Sequence, residues 1–169
     1  MRKKGLKSAA AAWPKSSAMA MKKVTSMKTQ VLNDQGEKTY ALIFDRGDEF
    51  KSLLTEFAKS AGLGASRFTA VGAFERATLG YFDWEKKDYI KLPIDEQVEV
   101  LALTGDIALY EGEPQVHAHV VVGQRDGTTR GGHVLEAFVR PTLEVILDEA
   151  PAHLQKRHDP ESGLALIDM

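Results

Sequence analysis

Two alternating runs, VHAHVVVG and TTRGGHVLEAFV, lie on either side of Gln124, Arg125, Asp126, Gly127 and Thr128. No other stretch of the chain restricts its fold as tightly. A three-residue hairpin loop favours a type I turn followed by a glycine in the left-handed region. Arg125-Asp126-Gly127 meets that need, with Gly127 at the positive-φ position. The loop then pairs Gln124 with Thr128, and counting outward sets His119 directly opposite His133. Facing residues of an antiparallel pair share a face, with Cβ atoms about 4.5–5.5 Å apart. His117 lies two residues before His119 and joins it on that face. Val116, Ala118 and Val120 fall on the other face and are expected in the core. The register requires that Gly131-Gly132 carry no bulge, because a one-residue slip turns His133 away.

Three imidazoles meeting on one patch are the donor set of a catalytic-type zinc site, in which a fourth position stays open. The chain has no cysteine, so a transition metal has only histidine and carboxylate to hold it. His117, His119 and His133 are therefore the candidate ligands. Zinc is the first choice by availability, but another divalent metal suits imidazole equally. The competing interpretation is two solvent-facing histidines on a strand and a third nearby by chance. His153 and His158 sit in a polar segment and are expected in solvent. Two weaker candidates could serve catalysis. Glu136 lies three residues past His133 and faces away from the histidines on a regular strand. Arg76, beside Glu75 at a strand junction, could bind a carboxylate in a bidentate manner. No residue can be placed as a general base, so the sequence does not decide whether the protein is an enzyme.

The remaining sequence predicts an α+β fold in one domain, with an antiparallel sheet and a flanking helix. Phe50, Leu53, Leu54, Phe57, Ala58 and Ala61 recur at helical spacing, with Asp48 as the expected N-cap and Gly62 just past the C-terminus. SRFTAVGAF and RATLGYFDW are expected as consecutive strands, followed by a turn at EKKD and the strand YIKL. VEVLALTGDIALY is one long strand or two, and EGEP a turn. TLEVILDEA is a strand after Pro141, and LALID closes the chain. With 169 residues and 43% hydrophobic residues there is enough material for a core without staples.

Charge divides the chain. Eight of its 22 Lys and Arg fall in residues 1–30 and none of its 24 Asp and Glu, so residues 31–169 sum to −10 while the whole chain is −2. An acidic body suits a phosphate backbone poorly, and any DNA contact is expected to be weak, nonspecific and confined to the tail. Residues 1–27 read as a basic, disordered extension. Lys7, Pro14 and Lys15 interrupt any signal-peptide core, no apolar run reaches membrane-spanning length, and a cytoplasmic location is expected.

FTAVGAFERATLGYFDWEKKDY, the run from VEVLALTGDIALY through GGHVLEAFV, and GLALID together resemble the PPC domain, the plant and prokaryote conserved domain, over residues 28–169. The linked pattern L-T-G, G-E-P, H-x-H, D-G and G-G-H carries the resemblance. It implies a sheet with flanking helices assembled as a homotrimer, and prokaryotic members carry a provisional DNA-binding label. In plant relatives a separate Arg-Gly-Arg-Pro hook reads DNA, and this chain has no such hook. His117, His119 and His133 match the prokaryotic pattern. Two functions follow as expectations: a trimeric metal-binding domain that binds or acts on a small molecule, or a DNA-binding or regulatory assembly module without catalysis.

Overall fold

The computed structural model describes residues 27–168 apart from Gln35. The expected basic extension thus lies outside the described residues, save Met27, which is buried in the core. The elements run β1 (Lys28–Asn33), β2 (Lys38–Phe44), α1 (Phe50–Ala61), β3 (Ala65–Asp83), β4 (Asp88–Ile94), β5 (Val98–Tyr110), β6 (Glu113–Gly123), β7 (Thr129–Glu149), β8 (Gln155–His158) and β9 (Ala165–Asp168). This is the expected α+β arrangement, mostly sheet with one helix. All nine strands belong to one sheet. Around its centre the pairings close a circuit, with β3 on β5, β5 on β6, β6 on β7 and β7 back on β3.

Two pairs of expected strands turn out to be single long ones. SRFTAVGAF and RATLGYFDW are both part of β3, and VLEAFV and TLEVILDEA are both part of β7, which passes straight through Pro141. Bulges let them stay continuous. The β3–β7 register shifts at Gly72/Phe74, Phe74/Arg76 and Thr78/Leu79, and each extra residue bends the strand so that one strand can serve two neighbours in turn. The first part of β3 pairs with β5 and the last with β4. β1 and β8 were not anticipated. Both are short, and neither alternates clearly between apolar and polar residues.

The helix follows its pattern. Phe50, Leu54, Phe57 and Ala58 are buried, and Leu53 and Ala61 pack against the same cluster. Its N-cap is Glu49, not Asp48. The Glu49 carboxylate accepts from the backbone N–H of Lys51 at 3.2 Å and of Ser52 at 2.7 Å. Asp48 turns back one step earlier and accepts from the N–H of Asp45. Glu49 Oε1 also accepts from the N–H of Ala137 at 3.1 Å, and Glu49 bridges to Phe138. The first turn of α1 is thereby fastened to β7, close to the histidine hairpin, and the helix packs over β6 and β7.

Candidate metal centre

The hairpin register is the expected one. Gln124 N–H donates to Thr128 O at 2.8 Å, Gly127 has φ 84°, and His119 pairs with His133. The ladder from Gly123/Thr129 to His119/His133 is unbroken, so the double glycine makes no bulge against β6. Its purpose is close approach. A Cβ on Gly132 would stand 2.8 Å from the carbonyl oxygen of Gly80 on β3, nearer than side chains pack against backbone. With hydrogen there instead, β3 and β7 press together one residue before His133.

Val116, Ala118 and Val120 are buried as expected. On the other face the imidazole rings of His117, His119 and His133 lie with centroids 5.2–5.3 Å apart. One nitrogen from each falls within 4.8 Å of the others. The rings differ in setting: His119 is exposed, His117 half-buried, and His133 only 8% exposed. Tyr89, from β4, stacks on the His133 ring with centroids 4.7 Å apart and limits its rotation.

Sequence reasoning missed the carboxylate that serves this trio. Asp106 stands opposite His117 in the β5–β6 register, and its Oδ2 lies 3.0 Å from His117 Nδ1. A protonated Nδ1 donating to that carboxylate leaves Nε2 as the coordinating nitrogen, the usual arrangement behind a metal-bound imidazole. Asp106 Oδ1 lies 3.0 Å from Nζ of Lys156, whose side chain is 3% exposed. Burial works to raise the Asp106 pKa, but hydrogen bonds from His117 and Lys156 and their charges outweigh it. They hold the group below the usual carboxylate range.

Protonation in the cluster favours a cation. Burial lowers the His133 pKa from 6.5 to about 4, and the nearby charges of Lys51, His117, His119 and Lys156 push the same way. Burial, and then the charge of His117, lower His119. Metal binding requires neutral imidazoles, and near neutral pH these two are neutral. His133 Nδ1 is also buried with no hydrogen-bond partner. Such a group is costly to leave unmatched, and a bound ion close by would offset that cost. The donor set, its protonation and this orphaned nitrogen all fit a divalent transition metal.

The two weaker candidates lie apart from the converging nitrogens. Glu136 is exposed on β7 opposite Thr78. Arg76 is exposed too, with its guanidinium 3.6 Å above the centre of the Phe138 ring, and the neighbouring Glu75 contacts Arg140. His153 and His158 are exposed. Among the described residues no helix is long and apolar enough to cross a membrane.

The sequence profile of the Plants and Prokaryotes Conserved (PCC) domain matches residues 32–151. A plant- and prokaryote-conserved (PPC) protein of Pyrococcus horikoshii is 29% identical, with TM-score 0.74 over 84% of this chain and 95% of its own. The metal-containing protein AF0104 of Archaeoglobus fulgidus is 29% identical, with TM-score 0.72 over 86% of this chain and all of its own. A protein of Ralstonia eutropha JMP134 provisionally named DNA-binding is 27% identical, with TM-score 0.72 over 77% and 90%. Among curated proteins, the bifunctional protein GlmU of Synechococcus sp. (strain JA-3-3Ab) is 31% identical over 75% of this chain. This chain spans about a fifth of the length of the curated relatives it matches.

Proposed function

The chain belongs to the Plants and Prokaryotes Conserved domain family, and from that premise we propose that it is a homotrimeric metal-binding member in which His117, His119 and His133 hold a divalent transition metal, zinc by preference, next to a site for a small molecule. One observation carries the reading: three imidazoles converge on one face, and a carboxylate behind the first orients it. The description of the Archaeoglobus fulgidus protein as metal-containing supports it. A metal bound there would supply Lewis acidity at its open position. The chain's own part is to aim His117 through Asp106, to hold His133 under Tyr89, and to keep His119 and His133 unprotonated. No role is proposed for Glu136 or Arg76.

The assembly reading rests on the family resemblance and on aliphatic side chains left uncovered on the strands. Val71, Leu101, Val121 and Ile146 are all exposed in the single chain. A cytoplasmic location suits a chain without cysteine, which has no disulfide to form. Elemental analysis of protein purified without a histidine tag tests the metal. About one metal per chain is expected, lost in His119→Ala while the fold persists, because the core face of β6 is untouched. A metal-free wild type, or unchanged content in the variant, would overturn the assignment. For assembly, sedimentation at micromolar concentration should return three chains; a monomer or dimer would overturn that part.

A further inference from the structure

The hairpin of β8 and β9 adds almost nothing to the apolar core. Three of the four β8 residues are exposed, and the one that is buried is Lys156. In β9 one residue is half-buried and three are exposed, Leu166 and Ile167 among them. Among the described residues the buried apolar cluster includes nothing past Leu147. Backbone pairing keeps the hairpin on the sheet. β8 runs parallel to β5 over two register pairs, Leu109 with Gln155 and Tyr110 with Lys156. Just ahead of it, Leu109 N–H donates to Leu154 O at 2.8 Å and Leu154 N–H to Gly64 O at 2.9 Å. The side chain that β8 sends inward is thus a lysine, and hydrophobic burial does not account for it.

A lysine ordinarily carries its ammonium out to water on a flexible stem, and it is seldom fully buried without a partner. Lys156 keeps 3% of its side chain exposed, and its Nζ lies 3.0 Å from Asp106 Oδ1. A buried ion pair is a poor source of net stability, because apolar groups of similar volume often serve as well. This pair supplies direction instead. The two oxygens of Asp106 face different partners: Oδ1 meets Lys156, and Oδ2 meets His117 Nδ1 at 3.0 Å. Held at one oxygen alone, the carboxylate could rotate or swing to solvent, since the Asp106 side chain is partly exposed. Held at both, it presents Oδ2 to one nitrogen of one ring.

We propose that Lys156 is a positioning residue of the three-histidine centre: it fixes Asp106, Asp106 fixes His117, and the β8–β9 hairpin is thereby coupled to the metal. This rests on the metal reading and adds a point of control to it, because displacing the hairpin would release the His117 ring without touching any ligand. Charge and orientation act in opposite directions here. An ammonium near a divalent ion repels it, so on charge alone the loss of Lys156 would tighten metal binding. On orientation the same loss weakens binding, because the partner behind a ligating imidazole governs its affinity.

The test measures zinc affinity of full-length protein by competition with a chromophoric chelator. A wild type that takes up no zinc overturns the metal reading itself; the comparisons among variants decide the role of Lys156. Lys156→Met keeps the length of the side chain and removes its charge, and it should weaken zinc binding about fivefold or more. Arg157→Gln is the control. It removes a cation from the neighbouring position of the same strand, where Arg157 pairs with Asp168 in solvent, and should bind zinc as wild type does. Asp106→Asn should also weaken binding, and adding Lys156→Met to it should cause no further loss, because the lysine acts through that carboxylate. A residue that merely supported the hairpin would weaken zinc binding in both backgrounds. Unchanged or tighter binding by Lys156→Met overturns the proposal, as does an equal loss in Arg157→Gln. If Lys156→Met alone does not fold, the comparison of Asp106→Asn with Asp106→Asn/Lys156→Met still decides: equal affinities support the proposal, and a further loss in the double variant overturns it.

Discussion

At the scale of single residues the histidines are not equivalent, and pH should expose the difference. His133 is held to a pKa of about 4 in the folded chain against an ordinary 6.5. Between those values the unfolded chain takes up a proton that the folded chain refuses. Stability of the metal-free protein is therefore complete above about pH 6.5 and declines as pH falls toward 4. Urea unfolding of metal-free protein should show a loss on the order of 1–2 kcal/mol between about pH 7 and pH 5 from this group. His133→Gln, which cannot titrate, should flatten that part of the profile. An unchanged slope in the variant would show that burial of His133 is not its source. Asp106 also operates at this scale, and it was within reach of the sequence. The turn at Glu111-Gly112, where both residues have positive φ, pairs Tyr110 with Glu113. Counting outward from that pair sets Asp106 opposite His117. EGEP is legible as a turn, and the Asp106–His117 pairing follows from it only when the register is counted across that turn.

At the scale of elements, the contact that sets the hairpin against the rest of the sheet is the approach of β3 to β7 at Gly132. Gly132→Ala places a methyl group 2.8 Å from the Gly80 carbonyl oxygen, and backbone cannot swing aside as a side chain can. The variant should lose about 1–3 kcal/mol in denaturant unfolding and should bind metal more weakly, because His133 follows directly. Gly131→Ala meets the Val120 carbonyl at 3.2 Å and should cost less. Equal effects at the two positions would remove close strand packing as the reason for the double glycine. What could be read in advance followed from local rules. The helix face came from apolar spacing, and the His119–His133 pairing from turn chemistry. Glu49 as cap, the continuity of β3 and β7 through their bulges, and the short β1 and β8 were not legible, because each depends on partners distant in sequence. Glu49 is drawn inward by Ala137, and β8 is placed by parallel pairing to β5. Lys156 reaches Asp106 by that route, and no local pattern announces it.

At the scale of the molecule, charge is divided along the chain: residues 31–169 carry −10, and eight cations precede them. Similarity to a protein provisionally named DNA-binding makes the consequence worth measuring. Full-length protein should bind duplex DNA weakly at low salt, without sequence preference, and release it as salt rises. A chain beginning at Met27 should not bind. Tight, sequence-selective binding by the shortened chain at physiological salt would favour the DNA-binding module over the metal-binding reading. The closed circuit of strands has a further consequence, in the order of events during folding. Joining β3 to β7 brings together groups as distant as Ser66 and Glu149, 83 residues apart, a loop closure that is entropically costly and slow. The three imidazoles belong instead to one hairpin, whose two strands are joined by a short loop and can meet much sooner. If the three histidines hold an ion as proposed, an ion present while the chain emerges would meet them on the hairpin before the circuit closes, and would then hold its two strands in register as a template for the slower pairings on either side.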